Sequence, residues 1–158
     1  AFIILTTALL ATTGWAEDTN SPAFQVRAIM KDIVAGKFRQ GEQKEISGWI
    51  MTTETGEKFH RAILQAQAVP LILIGPEAVP ELLKWLDHDQ MHIRYIADYS
   101  LEQVTGEEPF FPHFATIEEL RSKGWLKAAV GVWQDWYDSR KNNSKSGRQF
   151  RSENHPLF

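Results

Sequence analysis

The sequence has no cysteine. That excludes disulfides, thiolate metal sites, a cysteine nucleophile and a lipid-bearing cysteine. It has little excess of either charge: 17 Lys and Arg against 20 Asp and Glu leave a net charge of -3. So small a charge does not argue for a nucleic-acid binder. The common catalytic signatures are missing as well. There is no Gly-rich phosphate loop, no Gly-x-Ser-x-Gly elbow and no His-Glu-x-x-His pair. What remains is 158 residues, enough for one domain and too few for two comfortable ones. Hydrophobic residues at 43% and charged residues at 23% predict a folded body rather than a disordered chain.

The first sixteen residues, "AFIILTTALLATTGWA", lack charge, and Glu17 and Asp18 follow at once. Phe2 to Ala11 has the length of a signal-peptide core, and Gly14 and Ala16 are small where a signal peptidase reads. The run is too short and too rich in threonine for a membrane span, which needs about 20 apolar residues. No initial methionine or basic segment precedes it, so the chain is expected to begin inside its own signal peptide. Residues 1–16 are therefore read as that peptide, and the protein as exported, either periplasmic or secreted.

The body is expected over residues 22–138. Ser21-Pro22 suits a helix start, and Phe24, Val26, Ile29, Met30, Ile33 and Val34 follow at helical spacing up to Gly36. Residues 36–58 have no sustained period and read as a loop with a short extended piece at Ile46 to Thr52. Phe59 to Ile74 reads as a helix carrying Pro70, which either bends or divides it. Gly75 stops it. With a cap near Glu77, Pro80 falls in the first turn of the next helix, where a missing N–H loses no bond. Pro76 and Pro80 thus fix a corner and launch the helix of Leu82, Leu83 and Leu86. "DHDQ" (87–90) makes an acidic turn, and Ile93, Ile96, Ala97, Leu101 and Val104 define the returning helix, stopped at Gly106. The loop "EEPFFPHF" (107–114) should lie over the core edge. A last helix is expected from Thr116 to Arg140 with a break at Gly124, and Trp125, Ala129, Val132, Trp133 and Trp136 share one face of it. Residues 139–158 read as a disordered basic tail.

Arg61-x-x-Leu64-x-x-x-Ala68 and Arg94-x-x-Ala97-x-x-x-Leu101 are similar phrases 33 residues apart. With Gly75-Pro76-Glu77-Ala78-Val79-Pro80, Leu82-Leu83, Leu86, Asp87, Asp89 and Val104-Thr105-Gly106, the chain resembles the HEAT-like repeat proteins, in particular the phycobilisome-lyase type. "WQDWY" (133–137) is similar to the tryptophan-rich end of small exported bacterial members. The resemblance is good over 59–106, fair through Tyr137 and weak over 22–58. It implies an all-α fold, a short α-solenoid of helical hairpins, and is nearly silent about activity. Arg94 is expected to hold the acidic turn through Asp87, Asp89 or a carbonyl of the preceding helix end.

Competing site readings are bland. His88 and His92 are four apart but lack a second ligand pair, so no metal is expected. Glu107-Glu108 and Glu118-Glu119 read as solvated acids, the latter suiting a first helical turn. His60, His113 and His155 have no partner visible in the sequence. Trp125, Trp133 and Trp136 share a helical face and read as core packing rather than a carbohydrate site, and Trp49 in the long loop is expected to be the most exposed tryptophan.

The expectation is a non-catalytic scaffold for a protein partner in the bacterial cell envelope, with no cofactor and no nucleic acid. Tyr95, Asp98, Tyr99 and Glu102 are left facing outward once Ile93, Ala97, Leu101 and Val104 point inward, so they are read as the partner-binding face. Ala62 and Ala66, at the matching repeat positions, would leave a shallow recess beside the tyrosines. The alternatives are an accessory role in a lyase or chromophore-handling enzyme, which only the resemblance implies, and an anionic-surface binder working through the tail.

Overall fold

A computed structural model describes residues 18–37, 50–52 and 58–145. The signal-peptide reading, Trp49, His155 and tail residues 146–158 lie outside them. The described chain is mostly helical, with one short strand pair.

Helix α1, Pro22–Val34, starts as its sequence dictates. Ser21 Oγ accepts from the Phe24 amide at 3.2 Å, and Pro22 occupies a first-turn position where no N–H is needed. Its stripe of Val26, Met30 and Ile33 is buried. Strands β1, Ile50–Thr52, and β2, Lys58–His60, pair antiparallel with Ile50 opposite His60. The expected extended piece is therefore found over its last three residues. Phe59 belongs to a strand rather than to the next helix, because pairing with β1 claims the backbone of 58–60 first.

Helix α2, Arg61–Ile74, runs through Pro70 without ending there. It stops at Gly75, whose φ of 77° is a left-handed geometry that glycine adopts without a Cβ clash. A 3-10 turn, Gly75–Ala78, holds Pro76 in its first turn. Helix α3, Val79–Trp85, caps at Ala78, next to the expected Glu77, with Pro80 in its first turn. By length and composition the run Arg61–Trp85 also suits a membrane span. Its Leu64, Ala68, Leu71, Leu82 and Leu83 are core residues here, while Leu73 is 80% exposed.

Helix α4, Met91–Thr105, is buried along most of its length and ends at Gly106. Helix α5, Ile117–Ser122, opens with a reciprocal cap: Thr116 Oγ1 accepts from the Glu119 amide, and Glu119 Oε2 accepts from the Thr116 amide. The break expected at Gly124 is present, and α6 runs Trp125–Lys145. The helix thus outruns its expected end at Arg140, and residues 141–145, read from sequence as tail, are helical. Trp133 and Ala129 are buried on the expected face, but Val132 is exposed.

Helix α2 packs along α4, α3 against α4 and α6, α1 against α2 and α3, and α5 against α6. One continuous core joins them, with Met30, Leu71, Leu82, Leu86, Ile93, Ile96, Leu101 and Trp133 among its largest side chains.

Candidate functional site

Arg94 builds the end of the site. It is 2% exposed. One guanidinium nitrogen, Nη1, donates to the carbonyls of His88 (2.8 Å) and Asp89 (2.7 Å) in the acidic turn. The other, Nη2, donates to the carbonyls of Ala115 (2.8 Å) and His113 (3.3 Å) across the chain. Its partners are backbone carbonyls and not the carboxylates of Asp87 or Asp89. Asp87 instead accepts from Arg121 Nε at 2.9 Å. Burial lowers the guanidinium pKa, and the nearby Asp89 carboxylate opposes that fall. A planar fork can bind several acceptors at once, so Arg94 ties the 107–116 loop to the turn before α4.

That loop lands against one face of α4. His113 Nε2 lies 3.2 Å from Asp98 Oδ2. The imidazole meets Tyr95 edge-on at 5.0 Å between centroids and Phe111 at 5.8 Å. Tyr95 and Tyr99 rings lie nearly parallel, 6.1 Å apart. Tyr95 Oη accepts from Arg61 Nε at 3.1 Å and from Gln65 Nε2 at 3.4 Å, which joins α2 to α4. Burial raises the Tyr95 pKa, and the Arg61 hydrogen bond partly offsets it.

Two of the four residues expected to face outward therefore do not. Asp98 is 1% exposed and Tyr95 is 6% exposed. The α4 face opposite Ala97 and Leu101 is covered by the 107–116 loop and the start of α2, which a helical wheel of α4 alone does not include. Tyr99 and Glu102 remain partly open. They line an open cleft of about 410 Å³ together with Arg61, Tyr95, Glu108, His113 and Phe114. The cleft is not the recess expected beside Ala62 and Ala66: neither alanine lines it, and Arg61 does. The four added residues come from the start of α2 and from the aromatic loop. Phe114 was legible as an aromatic in a proline-bearing loop. Nothing in the spacing links His113 to Asp98.

The electrostatics of the site follow burial. Burial, with help from the Glu102 charge, pushes the Asp98 carboxyl up from 3.8 to about 8. Burial, with Arg94 and Arg61, pushes the His113 imidazole down from 6.5 to about 4. These shifts leave both groups uncharged at neutral pH. The Glu102 carboxyl is raised by burial and by Glu108, against the pull of Arg61.

This pair is badly placed for acid–base chemistry on a ligand. His113 turns Nε2 to Asp98, while Nδ1 is buried and has no hydrogen-bond partner among the described residues. A general base needs a nitrogen within reach of the reacting proton. His88 sits in the turn, its Nδ1 accepting from the Gln90 amide, and His92 is buried in α4. No group of three or more possible metal-ligating side chains occurs among the described residues. Set against known proteins, the chain matches no family model, no curated protein and no solved structure.

Proposed function

We propose that this chain is a non-catalytic helical-repeat scaffold that captures a protein partner in the cleft between α2, α4 and the 107–116 loop. The observation that carries the reading is the cleft lining: Tyr99 and Phe114 beside Arg61, Glu102 and Glu108. Aromatic side chains and arginine are enriched where proteins bind one another, because they supply contact area and directional bonds together. An open cleft also suits a polypeptide better than a small metabolite, which needs deeper enclosure.

The repeat reading is that of a short α-solenoid of HEAT-like hairpins. Helices α1 and α2 are one pair and α3 and α4 the next, with α2 packed along α4 and α1 against α3. Stacking of this kind buries the apolar face that a lone hairpin leaves open. The charge-free start of the sequence, ending in Gly14 and Ala16, supports export to the cell envelope.

The test is site-directed photocrosslinking in the envelope fraction. A photoreactive amino acid at Phe114 should give a discrete cross-linked product, and the same group at Lys123, away from the cleft, should not. Equal products from both positions, or none from Phe114, would remove the cleft as the contact surface.

A further inference from the structure

The cleft has an unbalanced charge, and the imbalance points to what fills it. Glu102 and Glu108 both line it, and neither makes an ion pair among the described residues. Arg61, also in the lining, is turned to Tyr95 through its Nε. Two carboxylates against one guanidinium leave one uncompensated negative charge. Glu102 is partly buried, and its carboxyl is held above the usual range by that burial and by Glu108. One turn earlier on the same face of α4, Asp98 is buried with its Oδ1 lacking any hydrogen-bond partner among the described residues. The carboxylates of Glu102 and Glu108 are therefore the acidic groups of the cleft lining left without an ion-pair partner among the described residues.

The wall between them is aromatic. Tyr99 and Phe114 line the same cleft, and Phe114 is largely exposed. Aromatic faces attract cations, and they pack the aliphatic stem of a long basic side chain.

Resting on the proposed function, we infer that the cleft receives one lysine or arginine side chain of the partner polypeptide, its charge between Glu102 and Glu108 and its stem against Tyr99 and Phe114. A single positive charge balances the site. A divalent ion is the poorer match, since it requires six or more oxygen ligands or several retained waters.

The test uses the full chain and two capped peptides, acetyl-Gly-Arg-Gly-Gly-amide and its citrulline counterpart, followed by amide NMR. The arginine peptide should produce saturable shifts at Tyr99, Glu102 and Glu108 with a millimolar Kd, weakened by 0.5 M salt. The Glu102→Gln/Glu108→Gln variant should weaken binding at least tenfold with its other resonances unmoved. If that variant does not fold, Glu108→Gln alone, at an exposed position, should still weaken binding severalfold. Citrulline binding as strong as arginine binding would overturn the inference, as would undiminished binding by the folded variants. So would shifts at these residues from calcium chloride and not from the peptide. A Phe114 cross-link that persists unchanged in the Glu→Gln variant would leave the partner cleft standing and remove the cation from it.

Discussion

Asp98 Oδ2 and His113 Nε2 lie 3.2 Å apart, buried between α4 and the loop that follows it. The contact joins residues 15 positions apart in the sequence. Together with Arg94 it fixes the loop that forms one wall of the cleft.

This pair sets a pH dependence. The raised Asp98 pKa contributes stability that is full below 3.8 and is lost as pH rises through about 8. The lowered His113 pKa contributes stability present above 6.5 and lost as pH falls through about 4. Between roughly 4 and 6.5 the slopes oppose and cancel; from 6.5 to 8 only the Asp98 loss remains. At about 1.4 kcal/mol per pH unit, the pair should cost about 2 kcal/mol across that window. Urea unfolding at pH 6.5 and pH 8 should show this fall in the native chain and little of it in Asp98→Asn. The same fall in both proteins would assign it to other groups.

Arg94→Ala should destabilise the fold by about 3 kcal/mol or more. It leaves the carbonyls of His88, Asp89, His113 and Ala115 without their donor, and hydrogen bonds to a charged group are worth about 1.5–3 kcal/mol each. Arg94→Lys should recover only part of this, because an ammonium cannot span the turn and the loop as a fork does. A chemical melt unchanged by Arg94→Ala would show that the clamp carries no stability.

Tyr95 now divides from Tyr99. Tyr95 is buried and accepts from Arg61 and Gln65, so Tyr95→Ala should cost about 3 kcal/mol and Tyr95→Phe about 1 kcal/mol. Tyr99→Ala should cost clearly less than Tyr95→Ala, since Tyr99 is only partly buried. Thermal melts of the three variants give the order directly, and equal losses at 95 and 99 would contradict it.

Helices and their ends were legible because their causes are local. Ser21-Pro22 caps and opens α1, and Gly75 and Gly124 take a left-handed φ, so each acts on backbone within four residues of itself. The site was half legible for the same reason. Helical spacing places Tyr95, Asp98, Tyr99 and Glu102 on one face, but it does not say what covers that face. His113 over Asp98, and Arg61 on Tyr95, depend on how the loop and α2 return to α4. Phe59 was misread for a related reason: its strand exists only because β1 lies beside it.

The most direct measurement concerns the open part of the cleft. Tyr99→Ala with Phe114→Ala removes the aromatic wall while leaving Tyr95, Asp98, His113 and Arg94 in place. With a partner identified by its Phe114 cross-link, titration calorimetry should show at least a tenfold loss of affinity in the double variant, with helical circular dichroism nearly intact. Affinity equal to the native chain in a folded double variant would contradict partner capture at this cleft.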